Sequence, residues 1–256
     1  MHSSPSITLQ DVDVGYPHNI VLHNLHLTIP AGKITVVLGG SGCGKSTLLR
    51  HILGLQLPRR GRIYIGQDDL CAMNSEQLYS YRRNMGVLFQ GGALLGSLTV
   101  GENVALPLME HTRLDDETIR TVVRLKLSLV GLDNVMDMLP AQLSGGMRKR
   151  AGLARALALD PGILLCDEPS AGLDPITAEE VDQLITDMHD SLQMTILVVT
   201  HDLDSLYRIA QHVIVLHAGR VLFTGKTDDL RKSQDRYIRQ FLERRPDARK
   251  TPDWLL

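Results

Sequence analysis

The sequence predicts an α/β fold: a buried parallel sheet whose strands alternate with helices, preceded by a β-rich start and interrupted by a long helical insert. Three observations carry that expectation. Ile34-Thr35-Val36-Val37-Leu38 is a short, mostly β-branched run, followed by a glycine-rich turn and then by Lys45 to Leu55, where Leu48, Leu49, Ile52 and Leu55 recur at helical spacing. Ile163 to Cys166 and Thr195 to Val199 are apolar without interruption, as strands covered on both faces of a parallel sheet must be. Between about Gly91 and Arg150 no convincing strand occurs.

In chain order, Ile7, Leu9, Val12 and Val14 read as a strand or strand pair from Ser6 to Val14, and Leu25, Leu27 and Ile29 alternate as another before Pro30-Ala31-Gly32. Ile63-Tyr64-Ile65 adds a short strand after Gly61, and Met85 to Gln90 ends one more. Asp115 to Leu129 is helix-like with Asp116 and Glu117 in its first turn, where carboxylates suit the helix dipole. A second helix is expected from Met147 to about Leu159. Val213 to Leu216 and Val221 to Thr224 flank His217-Ala218-Gly219-Arg220 as a hairpin, with Gly219 supplying the turn conformation. Lys226 to Leu242 is helix-like through Leu230, Ile238, Phe241 and Leu242. The charged, proline-broken tail ends in Trp254-Leu255-Leu256, which reads either as a frayed terminus or as an apolar end that docks on a dimer partner or another subunit.

Composition narrows the class. At 256 residues and 43% hydrophobic content the chain supports one sizeable core with an inserted subdomain. No apolar run approaches the ~20 residues needed to cross a bilayer, and Met1 to Pro5 lacks a basic-then-apolar signal segment, so a cytosolic protein is expected. A net charge of −2 supplies no basic field for nonspecific nucleic-acid binding, and no nucleic-acid partner is expected. Cys43, Cys71 and Cys166 are scattered, odd in number and without metal-ligand spacing, which argues for a reducing compartment and against a disulfide framework or zinc site.

Gly39-Gly40-Ser41-Gly42-Cys43-Gly44-Lys45-Ser46-Thr47 fits the phosphate-loop pattern G-x-x-x-x-G-K-[ST] and lies between the strand and the helix that the motif requires. Its glycines let successive N–H groups point into one hollow, and the following helix adds its own free N–H groups and positive dipole end. Lys45 can reach the β and γ phosphates of a nucleoside triphosphate, and the Ser46 hydroxyl can take a position on Mg²⁺. Ser144, Gly145 and Gly146 stand just before a helix and form a second candidate anion site. Asp167 and Glu168 close an apolar strand, where carboxylates are poorly solvated and need partners. Cys43 sits beside a helix N-terminus and Lys45, both of which favour thiolate, so a reactive thiol is expected if the side chain is accessible.

With the phosphate loop, Leu143-Ser144-Gly145-Gly146-Met147 and Ile163 to Pro169 in this order, the chain resembles the ATP-binding subunit of an ATP-binding-cassette (ABC) transporter from about residue 7 to about residue 225. The resemblance implies a P-loop NTPase core with an antiparallel β subdomain and an inserted α-helical subdomain. It divides the chain into an ATPase domain at 6–225, with its core at 6–90 and 151–225 and a helical subdomain at about 91–150, and a C-terminal helix and tail at 226–256. It implies ATP and Mg²⁺ as ligands: the phosphate loop, Gly39 to Thr47, holds ATP, Tyr16 presents its ring to adenine, and Ser46, Gln90 and Asp167 attend the metal. Glu168 matches the catalytic base, Gln90 the Q-loop glutamine that touches Mg²⁺ or the lytic water, and His201 the switch histidine that contacts the γ-phosphate. Ser144, Gly145, Gly146 and Met147 match the signature that meets ATP on the partner chain of a homodimer formed in the ATP-bound state, and Asp174 ends the D-loop at that interface. Met147 replaces the commoner glutamine and removes a hydrogen-bonding side chain from that corner.

Two stretches narrow the resemblance to the ATPases of Mla-type phospholipid transporters: Phe89 to Val100 continuing to Pro107-Leu108, and the basic signature Ser144 to Arg150. Leu95 departs from the aromatic common at its position. Membership implies a role in outer-membrane lipid asymmetry, a permease dimer in the inner membrane contacted near Gln90, an MCE-domain lipid-binding partner, and a peripheral position on the cytoplasmic face. Other readings stay open: an ATPase of another ABC importer or of lipoprotein release, or an ABC ATPase outside transport, although no long coiled-coil insertion or second cassette is present.

Overall fold

The structure is a computed structural model and describes residues 4–16 and 18–245. Strands β1 (Ile7–Tyr16), β2 (Asn19–Ile29), β4 (Arg60–Ile65) and β5 (Asp68–Asp69) form an antiparallel sheet in the order β2-β1-β4-β5. Strands β3 (Ile34–Leu38), β6 (Met85–Leu88), β7 (Ile163–Asp167), β8 (Thr195–Thr200), β9 (His212–His217) and β10 (Arg220–Gly225) form the main sheet in the order β10-β9-β3-β8-β7-β6. All pairings in it are parallel except β10 on β9.

Both faces of the main sheet are buried. Val36, Leu164, Ile196, Val198 and Val213 point into one core, and Val37, Leu165, Leu197, Val199 and Ile214 into the other. This explains why these strands read as continuous apolar runs rather than alternating ones. Helix α1 (Lys45–Ile52) places Leu48, Leu49 and Ile52 in the core shared with the antiparallel sheet.

The expected strand pair at Ser6 to Val14 is one strand. Its apolar phase shifts from Ile7 and Leu9 to Val12 and Val14 because the register slips between Leu9 and Val12, where Asp11 adopts φ 53°. The bulge swings the strand so that all four side chains stay buried. The hairpin turns at Ala218 (φ 46°) and Gly219 (φ 76°), the two left-handed residues that a tight two-residue turn requires.

Helix α2 (Ser75–Arg83) begins with a capping box between Asn74 and Gln77, and α3 (Val100–His111) with one between Thr99 and Glu102. Helix α4 (Asp116–Leu129) is capped by Asp115, and α5 (Gly145–Ala156) by Ser144, so that α5 starts two residues before the expected Met147. Helices α3, α4 and α5 pack together, and α5 also lies on β6. The expected boundary at residue 150 therefore falls inside α5, and the insert shares one apolar cluster with the core. After β7 follow α6 (Pro175–Leu192) and α7 (Leu203–Ile209). The single helix expected over Lys226 to Leu242 is two, α8 (Thr227–Arg231) and α9 (Arg236–Leu242); Asp235 accepts from the Tyr237 and Ile238 N–H groups and starts the second afresh. Helix α9 is anchored on the main sheet by Tyr237, whose ring stacks on His217 with centroids 3.5 Å apart. Trp254, Leu255 and Leu256 lie outside the described residues. Among the described residues no helix is long and apolar enough to cross a membrane.

Candidate active site

The carboxyl ends of β3, β7 and β8 open onto a cavity of about 690 Å³, the edge of a parallel sheet where ligands settle. Tyr16, Gly40, Ser41, Gly42, Gly44, Lys45, Ser46, Thr47, Gln90, Asp167, Glu168 and His201 all line it. Gly44 caps α1 at φ 103° without any side-chain cap, which leaves the first N–H groups of the helix free to face an anion. A Cβ at Gly44 would stand 2.9 Å from Leu22 and Val21, so both conformation and space require glycine.

Lys45 Nζ donates to the Gly39 and Gly40 carbonyls at 2.8 and 3.1 Å and lies 3.8 Å from the Glu168 carboxylate. The loop is thus braced around its own cation. Ser46 Oγ donates to Asp167 Oδ1 at 3.4 Å, placing two hard oxygens side by side at the mouth of the phosphate hollow. One hydroxyl and one carboxylate suit Mg²⁺, which takes few protein ligands and completes its shell with water and substrate phosphates. No group of three or more His, Cys, Asp or Glu side chains forms a metal cage among the described residues.

Glu168 is held from several sides. Its N–H donates to the Val199 carbonyl at 2.9 Å, Thr200 Oγ1 donates to its carboxylate at 3.3 Å, and His201 Nδ1 lies 3.0 and 2.9 Å from its two oxygens. Its backbone is left-handed, φ 51°, a conformation that costs a non-glycine residue and persists only where neighbours impose it. Lys149 and Thr200 are partners of Glu168 that the sequence did not disclose. Arg50, which donates to the Tyr16 hydroxyl at 3.0 Å, and Phe241, which reaches the cavity from α9, were missed as well. Lys149 had shown only as part of a basic run, and Phe241 only as one apolar position of a helix.

Two expected loop residues stand back from the cavity. Gly39 packs against Leu216, and Cys43 packs against the core beneath the loop. Burial pushes the Cys43 thiol up, and the opposing pull of Lys45 is the smaller effect. Packing against the core thus opposes the thiolate that Lys45 and the helix end favour.

The signature lies away from this cavity. Ser144 Oγ accepts from the Met147 N–H at 3.2 Å, so Gly145, Gly146 and Met147 form the first turn of α5, and Met147 leans on the core. Gly145 and Gly146 approach Leu173 and Thr177 at the start of α6. Asp174 caps α6 by accepting from the Ile176 and Thr177 N–H groups and the Thr177 hydroxyl, which holds its carboxyl below the usual carboxylate range.

Burial pushes the Asp167 carboxyl above its usual range, with the hydrogen bond from Ser46 opposing and the nearby Glu168 adding to the rise. A carboxyl that holds its proton more tightly when folded makes its ionised form a cost to folding, full above the folded pKa and absent below the unfolded one. Asp167→Asn removes that cost, so without nucleotide it should melt higher than the parent near neutral pH, with the gap closing as pH falls toward about 4. The rise in melting temperature given by Mg·ATP should shrink in the same variant. A parent and variant that melt together at every pH would show that the carboxylate is not strained.

A glycine cradle under a helix N-terminus, a lysine, a hydroxyl–carboxylate pair and a buried glutamate fixed beside a histidine define a nucleoside-triphosphate-hydrolysing cassette. The chain belongs to the ABC transporter family, whose model matches residues 22–171, and it is a nucleotide-binding ATPase of that family. It is 42% identical to the probable ribonucleotide transport ATP-binding protein mkl of Mycobacterium tuberculosis over 94% of this chain and 67% of that protein. It is 40% identical to the intermembrane phospholipid transport system ATP-binding protein MlaF of Haemophilus influenzae, over 90% of this chain and 87% of that one. Among solved structures it is similar to the ATP-binding cassette MJ0796, a dimer in a post-hydrolysis state bound to ADP and Pi. That likeness has a TM-score of 0.79 and 33% identity, covering 86% of this chain and 98% of the other.

Proposed function

We propose that this chain is the ATP-hydrolysing subunit of a phospholipid transporter, bound peripherally to a permease dimer on the cytoplasmic face of an inner membrane and working with an MCE-domain lipid-binding protein. The observation that carries the reading is the 40% identity to MlaF across nearly the full length of both chains. In this reading 6–225 is the ATPase domain, with a helical subdomain that begins at about 91 and takes in α5. Two chains pair head to tail, so that Ser144, Gly145, Gly146 and Met147 of each face the ATP of the other, with Asp174 at the seam. The similarity to a dimeric cassette supports that arrangement.

In this reading the loop N–H groups and Lys45 bind the β and γ phosphates, Tyr16 stacks on adenine with its hydroxyl held by Arg50, and Ser46, Asp167 and Gln90 would hold Mg²⁺. When bound, the metal supplies charge neutralisation across the phosphates. Glu168 orients and deprotonates the attacking water, and His201, against the same carboxylate, faces the γ-phosphate.

The permease would seat between β6 and the helical insert, where Phe89, Ala93, Pro107, His111 and Arg155 line a groove of about 370 Å³. The neighbouring loop is preformed: buried Asn103 accepts from the Leu95 N–H and donates to the carbonyls of Leu95, Leu98 and Thr99. The 42% identity to mkl favours one second reading, ribonucleotide transport. Purification of the chain with its permease, followed by mass spectrometry of the bound cargo, separates the two. Phospholipid in the complex, with ATPase stimulation by the permease that Ala93→Glu abolishes while ATP still binds, is the expected result. A complex free of phospholipid that is stimulated by ribonucleotides overturns it.

A further inference from the structure

Lys149 lies in the second turn of α5 and is 5% exposed, a burial that an ammonium group tolerates only with a partner. Its Nζ donates to the backbone carbonyl of Glu168 at 2.8 Å. That bond lands on the residue whose left-handed backbone needs outside support, and whose N–H is already tied to β8 through the Val199 carbonyl. Glu168 is therefore gripped at both ends of its backbone, from the core sheet on one side and from the helical insert on the other.

The same helix is locked to the loop that follows β6. A Cβ at Gly152 would stand 2.9 Å from the Gly92 carbonyl oxygen, so the two backbones touch. Arg155 donates to the Gly92 and Ala93 carbonyls at 2.9 and 2.7 Å. Gly146, Lys149, Gly152 and Arg155 follow one another at three-residue spacing along α5, each a neighbour of the next on a row that winds around the helix. A rigid rod thus joins the signature turn, the catalytic glutamate's backbone and the loop beside the candidate permease groove.

We propose that Lys149 is a positioning residue: through the Glu168 carbonyl it sets the backbone from which the carboxylate reaches the water. This rests on Glu168 being the base. Lys149 touches no nucleotide-lining group other than Glu168 in its hydrogen bonding, so its removal should act on the chemical step and spare ATP affinity.

The test measures Mg·ATP binding and single-turnover hydrolysis by the full chain for Lys149→Met, Glu168→Gln and the double variant. Lys149→Met is expected to bind Mg·ATP within about twofold of the parent and to hydrolyse it about tenfold more slowly or worse. The double variant should be no slower than Glu168→Gln alone, because the hydrogen bond of Lys149 into the site ends on Glu168. Hydrolysis by Lys149→Met at the parent rate overturns the proposal. So does loss of its ATP affinity or melting transition, which would assign Lys149 to the fold at large, and so does a double variant slowed by the full factor of both changes. The reading of Glu168 as base fails by a separate result, parent-rate hydrolysis by Glu168→Gln.

Discussion

Glu168→Gln is expected to slow ATP turnover by about a hundredfold or more while leaving ATP bound, since a positioned general base contributes about that much and the amide keeps the size of the side chain. The carboxylate is the acceptor on which Thr200 and His201 converge and the nearest acid to Lys45 within the cavity. Replacing it by an amide removes the proton acceptor but not the loop, the lysine or the hydroxyl–carboxylate pair. The variant should therefore accumulate as the ATP-bound dimer, visible as a shift on size exclusion with Mg·ATP and as intact ATP in the peak. Turnover close to that of the parent in the assembled transporter would falsify the assignment.

The second large effect belongs to Lys45. Its ammonium neutralises phosphate charge and also braces the loop through the Gly39 and Gly40 carbonyls, so Lys45→Ala removes a charge-assisted contact and loosens the cradle at once. Losing one charged hydrogen bond of this kind weakens binding by about tenfold to a hundredfold, and hydrolysis at moderate ATP falls with it. Equilibrium binding of ATP separates the two variants: Lys45→Ala loses affinity, whereas Glu168→Gln keeps it. A Lys45→Ala protein that binds ATP as tightly as the parent would place the recognition of phosphate in the backbone N–H groups alone.

The sequence by itself determined the parts in which chemistry is written in consecutive residues. The phosphate loop, the strand that ends in Asp167 and Glu168, and the signature before α5 are local patterns, because each needs a particular backbone turn beside a strand or helix end and only a few residue types allow it. The buried strands β3, β7 and β8 were legible for the same reason, since burial on both faces leaves no polar position to obscure them. What depended on distant neighbours was not legible. A bulge at Asp11 merged an apparent strand pair into one strand, a cap at Asp235 split an apparent helix into two, and α5 ran through the boundary drawn at residue 150. The burial of Cys43 against the core beneath the loop, which opposes the pull of Lys45 on its thiol, was not legible either. Only the tertiary structure decided what surrounds Glu168. Its Lys149 and Val199 contacts join residues 19 and 31 positions away in the sequence, and no periodicity encodes a hydrogen bond between a helix and a strand end that meet only after the chain has folded.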